Sequence, residues 1–316
     1  MSLLRPLTHY YRIKFKLAKL RVHLLAPVGE MVLDVGSGDG PSPAADVLCD
    51  RFLEDTERHA SLRLDRPFVI GDVEDLPFLD GAFGFVYCSH LLEHTRDPAR
   101  AMAELQRVAR RGYIEVPSEY LERSAKSTAT HFWFVRVNDG ELVFTPKPAG
   151  VLSPFLNDLF DHHLMYKDDL YTAFHWANFY RLFNIGYRWK GSIPHRIEGV
   201  SAKDDPSFSK GSEEIPSPEL IRRMRQAACH AETGTRALLS VSGWIKRAIR
   251  RRSRRAKSFD LLRVVACPFC KGSLVPAADS RRLDCAPCRK GFPWLEGVPC
   301  LLKGAGVDLA ESQSRP

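Results

Sequence analysis

The chain has 316 residues, 44% of them hydrophobic and 27% charged, with 21 glycines and 21 prolines. That is enough apolar material for one full core and a smaller unit, and it excludes a disulfide-stapled miniprotein, a fibrous repeat and wholesale disorder. The 46 Lys and Arg outnumber the 38 Asp and Glu for a formal charge of +8. The excess is local: nine basic and no acidic residues lie between Arg236 and Lys257, and six more basic residues lie in the first 25. The body between them is acidic, so the basicity belongs to two appendages. With no apolar run long enough to span a bilayer and no signal-like block after Met1, the expectation is a cytoplasmic protein, soluble or peripheral at a membrane.

Residues 9 to 25 predict a helix, with Tyr10, Ile13, Leu17, Leu20 and Leu24 on one face, Arg12, Lys16, Lys19 and His23 on another, and Pro27 as the stop. Four short apolar runs follow, at Met31 to Val35, Ala45 to Cys49, Pro67 to Ile70 and Phe83 to Cys88. Asp97-Pro98 then reads as the cap and first turn of a helix through Val108, and Gly112 to Val116 as a fifth strand. Strands without polar alternation, ending in Gly and Asp, predict a buried parallel sheet in an α/β domain. Asn138-Asp139-Gly140 between two apolar stretches predicts a hairpin that closes one edge of that sheet. Asp168 to Leu182 reads as a helix and Ser201 to Pro218 as a linker.

In a parallel sheet the strand ends meet at one carboxyl edge, where open α/β folds bind ligands. Asp34 with Gly36-x-Gly38, Asp50 and Asp72 arrive there after three successive strands. Each also suits a plain turn: glycine and aspartate shape turns whether or not a ligand is present. His90 and His94 follow the fourth strand, and an imidazole titrates near working pH, so both are candidate bases. His94 serves equally as a hydrogen-bonding residue that organises the loop. Glu115, Ser118, His131 and Trp133 are candidates for the acceptor side, or for packing. His90 to His94 also spells H-x-x-E-H, a zinc-peptidase pattern, but that pattern needs a helix and the preceding residues read as strand.

Val32-Leu-Asp-Val-Gly-Ser-Gly38, Gly71-Asp-Val-Glu-Asp-Leu-Pro-Phe78, Phe83 to His94 and Arg107 to Glu115 together resemble class I S-adenosylmethionine-dependent methyltransferases of the small-molecule type, over about residues 29 to 150. The resemblance implies S-adenosylmethionine as cofactor. Asp34 and the Gly36 to Gly38 loop would face its amino acid part, Asp50 the ribose hydroxyls, Asp72 and the Val73 backbone the adenine, and Ser89 or His90 the methionine side. One feature departs from the family: only Ser37 to Ala44 stands where a full helix usually leads to the second strand. The implied fold is a Rossmann-like methyltransferase sheet with a shortened first crossover. The implied function is methyl transfer to an unidentified acceptor, with a noncatalytic scaffold carrying a degenerate site as the alternative. A nicotinamide fingerprint fails at Pro41, where its third glycine belongs. The aromatic block containing His162, His163, Tyr166, His175, Trp176 and Tyr180 reads as an acceptor cap or as core.

Cys267, Cys270, Cys285 and Cys288 form two C-x-x-C pairs with 14 residues between them. Four thiolates fill the tetrahedral positions of Zn²⁺ and leave none open, so the expected metal is structural. Leu261 to Leu302 resembles a small zinc-ribbon family ending in a segment like Phe292-Pro-Trp-Leu-Glu-Gly-Val-Pro299, whose members are stand-alone activators of methyltransferases. That resemblance implies a small carboxyl-terminal zinc ribbon and a protein partner contacted through it. The expected organisation is a basic amphipathic helix over 1–28, a methyltransferase-like domain with aromatic cap over 29–200, a linker and basic helix over 201–260, the ribbon over 261–303 and a tail over 304–316. Leu238, Val241, Ile245, Ala248 and Ile249 form an apolar stripe beside Trp244 and opposite Lys246, Arg247, Arg250, Arg251 and Arg254. Both basic segments therefore suit an anionic membrane surface, with nucleic acid as the competing partner and a core-facing stripe packed on the protein itself as the third reading.

Overall fold

The computed structural model describes residues 4–53, 62, 64–124, 130–148, 155, 158, 160, 170–199, 215–233, 248–249 and 260–309. Its centre is a six-stranded sheet in the order β3-β2-β1-β4-β5-β8. The strands are β1 (Val32–Val35), β2 (Val47–Asp50), β3 (Phe68–Ile70), β4 (Phe85–Ser89), β5 (Arg111–Pro117) and β8 (Asn184–Lys190). The first five run parallel. Every residue of β1, β2 and β3 is buried, as expected of strands covered on both faces. Helix α2 (Pro98–Val108) starts where Asp97 accepts the Arg100 N–H at 3.1 Å, and it buries Ala101, Met102, Leu105 and Val108 at helical spacing.

Between Val35 and Val47 the chain forms no helix and folds back on the strands it joins. The Gly36 N–H donates to the Cys49 carbonyl at 2.8 Å and the Asp46 N–H to the Val32 carbonyl at 2.8 Å.

The hairpin forms but does not close the main sheet. Strands β6 (Trp133–Asn138) and β7 (Glu141–Pro146) turn through Asp139 and Gly140, with φ of 49° and 82°, and pair with β9 (His195–Ile197) in a separate three-stranded sheet. The edge beside β5 is taken instead by β8, antiparallel from Arg111↔Lys190 to Pro117↔Asn184. Helix α4 (Leu170–Phe183) runs directly into β8 and so delivers it to that edge, while the short α3 (Glu119–Ser124) lies between β5 and the hairpin. Trp133, Phe134, Val135, Leu142, Val143 and Phe144 are buried in the small sheet, and the Trp133 Nε1–H donates to the Thr95 carbonyl at 2.7 Å. The hairpin therefore covers the loop after β4.

Helix α1 (Leu4–Val22) lies on α4 through Tyr11 against Phe174 and Phe15 against Trp176 and Tyr180. A helix not expected from the sequence, α5 (Pro218–Thr233), buries Ile221 and Met224. No helix among the described residues is long and apolar enough to cross a membrane.

The carboxyl-terminal module contains β10 (Val275–Pro276), β11 (Arg282–Cys285), β12 (Lys290–Leu295), β13 (Val298–Pro299) and β14 (Val307–Asp308). It shares its core with the large domain: Val264, Val265, Leu283 and Phe292 cluster with Leu76, Phe78 and Leu105. The Ala266 N–H donates to the Pro77 carbonyl at 2.9 Å and the Leu79 N–H to the Val264 carbonyl at 2.8 Å.

Candidate functional site

Of the three acids expected at the carboxyl edge, Asp50 is in contact with the glycine loop. Gly36 and Gly38 have φ of 67° and 51°, a backbone region that favours glycine. A β-carbon on Gly36 would meet the Leu91 side chain at 2.9 Å, so this loop touches the loop after β4. The Gly38 N–H donates to Asp50 Oδ2 at 3.0 Å, and the Phe52 N–H to Asp50 Oδ1 at 3.2 Å. Asp34 is buried and accepts the Ser42 N–H at 2.6 Å; burial, reinforced by Asp50, pushes its carboxyl up to about 7. The buried Ser37 Oγ has no hydrogen-bond partner among the described residues. Asp72 caps the turn Val73–Asp75 by accepting the Glu74 N–H at 2.9 Å, and Arg51 Nη1 lies 2.5 Å from its other oxygen. Buried Val73 follows it.

The donors fit the methionine and ribose parts of S-adenosylmethionine. A buried carboxylate suits an ammonium group and Ser37 holds an unspent hydroxyl, whereas the Gly36 and Gly38 N–H groups are already given to Cys49 and Asp50. The residues missed in the sequence are Arg51, which occupies Asp72, and Leu91, which rests on Gly36. Neither carries a pattern by which it could be found.

Ser89 ends β4, and His90 follows with φ of 53°. The His90 ring lies 3.5 Å from Glu93 Oε1 and 3.5 Å from Glu115 Oε1. Burial works against its charge, but these two carboxylates overcome it and push His90 up to about 9. His90 is thus an imidazolium at neutral pH, a form that gives up a proton and cannot take one. Burial would raise Glu115, yet His90 and the hydroxyls of Tyr180 and Tyr113, at 2.5 and 2.8 Å, hold it down at about 2.

His94 turns the other way: its Nδ1 lies 3.0 Å from the Thr130 carbonyl, and its ring stands 4.4 Å from that of His131. Trp133 is 1% exposed and belongs to the core, and the Ser118 hydroxyl donates to the Leu182 carbonyl at 2.6 Å. Of the aromatic block, Trp176 and Tyr180 pack on Phe15, His175 stacks near Tyr171, and His162, His163 and Tyr166 lie outside the described residues.

The four cysteines of the carboxyl-terminal module come together. Cys267 Sγ is 3.9 Å from Cys288 Sγ, and Cys270 Sγ is 3.5 Å from Cys285 Sγ. A tetrahedral ion with metal–sulfur bonds of about 2.3 Å has sulfur–sulfur edges of about 3.8 Å, so the cluster can chelate a metal. Cys300 is buried elsewhere, beside β3. In the first basic segment Leu4, Leu7, Tyr10, Ile13 and Leu17 are exposed. In the second, residues 238–247 lie outside the described residues, whereas Ile249 is buried in the core with Ile221 and Met224.

A methyltransferase domain family model matches residues 33–114. The chain is 36% identical over 99 residues to a demethylmenaquinone methyltransferase of Renibacterium salmoninarum, covering 29% of this chain and 42% of that enzyme. It thus spans less than half the length of that relative. Residues 33–114 are thus similar to a methyltransferase domain.

A UPF0434 protein of an Enterobacter species is 39% identical over 56 residues, 18% of this chain and 93% of the relative. Over that stretch the chain belongs to the UPF0434 family. UPF0434 proteins of Shewanella baltica match at 42% identity over 52 residues, 16% of this chain and 88% of the relative. Among solved structures, a S-adenosylmethionine-dependent methyltransferase of Mesorhizobium loti aligns at 14% identity and a TM-score of 0.27, covering 42% of this chain and 64% of that one. A chain from a complex of the Haloferax volcanii Trm112 methyltransferase activator aligns at 17% identity and a TM-score of 0.31, covering 58% and 91%.

Proposed function

We propose that the protein transfers a methyl group from S-adenosylmethionine to an acceptor. The observation that carries this reading is the direct contact of the glycine loop with the second-strand acid, Gly38 N–H to Asp50 Oδ2, inside the stretch matched as a methyltransferase domain. Asp34 would hold the cofactor's ammonium group, the glycine loop its carboxylate side, Asp50 the ribose, Asp72 with Val73 the adenine, and Ser89 the methionine side. Bound there, the cofactor supplies a methyl group already made electrophilic by its sulfonium. The chain must then align the nucleophile and exclude water, which the hairpin over the β4 loop serves. His90, protonated, would act as a fixed positive group, and His94 as base or as organiser of the loop.

The UPF0434 stretch corresponds, in this reading, to the cysteine module, a zinc ribbon fused to the domain it supports. Zinc would sit on Cys267, Cys270, Cys285 and Cys288 as a structural ion. The exposed apolar side of α1, flanked by Arg5, Arg12, Lys16 and Lys19, supports an anionic membrane surface as a peripheral contact.

A noncatalytic scaffold is favoured by specific features: the first crossover lacks a helix, Leu91 rests on Gly36, and Arg51 already occupies Asp72. Calorimetric titration with S-adenosylmethionine and S-adenosylhomocysteine separates the two. Binding at micromolar affinity, about 8 kcal/mol, supports the enzyme. No heat with folded, zinc-loaded protein leaves the scaffold.

A further inference from the structure

Beyond the cofactor edge, a second cluster meets under the hairpin. Glu93, His94 and His131 each offer one ligand atom, and the three atoms lie within 4.8 Å of one another. Glu93 is 0% exposed, and neither of its carboxylate oxygens has a hydrogen-bond partner among the described residues. Its contact with His90 Nδ1, at 3.5 Å from Oε1, is an ion pair without a hydrogen bond. The His90 imidazolium meets this carboxylate from one side, and a metal ion would meet it from the side of His94 and His131.

Each histidine has its Nδ1 in a polar contact outside the cluster. His94 Nδ1 lies 3.0 Å from the Thr130 carbonyl, and His131 Nδ1 lies 2.6 Å from Glu122 Oε1. A carbonyl and an ionised carboxylate only accept, so each ring donates from Nδ1, and Nε2 is the nitrogen that would face an ion. Metal-bound imidazoles are held by this same carbonyl or carboxylate contact on the far nitrogen. Glu122 is itself fixed by an ion pair with Lys147. The cluster is tied together by backbone as well: the Phe132 N–H donates to the Glu93 carbonyl at 2.8 Å, and Trp133 Nε1–H to the Thr95 carbonyl at 2.7 Å.

We propose that Glu93, His94 and His131 bind a divalent transition-metal ion, in a site separate from the cysteine cluster. Two imidazoles and one carboxylate suit zinc or ferrous iron, and they disfavour calcium and magnesium, which take oxygen ligands. Three protein ligands leave a coordination position open, unlike the closed set of four thiolates. In this arrangement His94 organises the loop through the metal and does not act as a base. The site stands whether or not methyl transfer is the activity.

Metal titration of the full chain tests the site, with cobalt as spectroscopic probe and elemental analysis for zinc. The wild type should take up two equivalents, one showing thiolate-to-cobalt absorption and one without it. Cys270→Ser should keep the thiolate-free site. Glu93→Gln and His131→Asn should each lose it and keep the thiolate absorption, which also reports that the module is folded. Glu122→Gln, which removes only the support of His131, should weaken the second site 10- to 100-fold. One equivalent in the wild type, held by thiolates alone, overturns the proposal and leaves the His90–Glu93 ion pair as the whole arrangement. Two equivalents retained in the Glu93→Gln/His131→Asn double variant overturn it too.

Discussion

Leu301 donates its backbone N–H to the carbonyl of Ile70 at 2.8 Å, and Cys300 pairs in parallel with Ile70 itself. Strand β3 is the edge of the main sheet. The cysteine module therefore covers an edge whose unpaired groups would otherwise invite another chain. It is also held by side chains: Lys271 Nζ reaches Glu104 Oε2 at 3.0 Å and the Leu76 carbonyl at 3.2 Å, and Lys303 Nζ reaches Asp75 Oδ1 at 2.7 Å.

Loss of the metal should therefore be felt in the sheet. Cys270→Ser, or chelation of the wild type, is expected to speed amide exchange at Phe68–Ile70 as well as within the module. A loss of several kcal/mol lowers the unfolding midpoint by roughly 10 °C in a domain of this size. Unchanged protection at β3 would show that the module docks without supporting the edge.

Lys271 makes a narrower test of the same interface. Replacing it with Met keeps the stem and removes both contacts, while Arg107 still holds Glu104 and the Leu76 carbonyl, so the expected cost is about 0.5–1.5 kcal/mol. Zinc content should stay at the wild-type value. A drop in zinc would place the residue in the fold of the module and not in its docking.

The sheet was legible because its strands are buried on both faces and so read as apolar runs, the first three closed by Gly or Asp. The hairpin was legible because Asp139 and Gly140 must adopt positive φ. Strand β8 was not: Asn184–Lys190 alternates in burial, as an edge strand does, and it emerges from an aromatic segment that reads as helix. The four cysteines announce themselves by local spacing, whereas Glu93 and His131 meet only because the hairpin folds back over the β4 loop. Likewise Ile249 belongs to an apolar stripe in the sequence, and only its neighbours Ile221 and Met224 show that it points into the core.

Cofactor binding should depend on pH through Asp34. Burial raises its folded-state value to about 7, so below that pH it is neutral and lacks the charge that would attract an ammonium group. Affinity for S-adenosylmethionine is expected to rise by up to tenfold per unit as pH increases toward 7, with proton release on binding. In the free protein the sign for stability is opposite. The folded state holds a proton that the unfolded chain gives up near 3.8, so this group's contribution falls as pH rises from 3.8 to about 7. Asp34→Asn should flatten both curves, measured by calorimetry and by urea unfolding across that range.

Asp50→Ala and Asp72→Ala should each weaken S-adenosylmethionine binding by about 1.5–3 kcal/mol, because each removes a charged acceptor. Arg51→Ala should act in the opposite direction at Asp72, since it frees the carboxylate that Arg51 now holds at 2.5 Å. Equal weakening in all three variants would mean that Arg51 itself contacts the cofactor.

Membrane contact should reside in α1. Leu7, Tyr10, Ile13 and Leu17 are exposed, while Tyr11 and Phe15 pack against α4. An apolar stripe left exposed on a helix without acidic residues suits an anionic bilayer surface, where each basic residue contributes about 1 kcal/mol. Leu7→Ser/Ile13→Ser should abolish flotation with anionic vesicles while leaving the unfolding midpoint within about 2 °C, because neither side chain is buried. Replacing Arg12 and Lys16 with Gln should weaken flotation at low salt. Nucleic acid would reward the same cations without the apolar stripe, so flotation that survives the serine changes, or retention on RNA that ignores them, would assign α1 to a phosphate backbone instead.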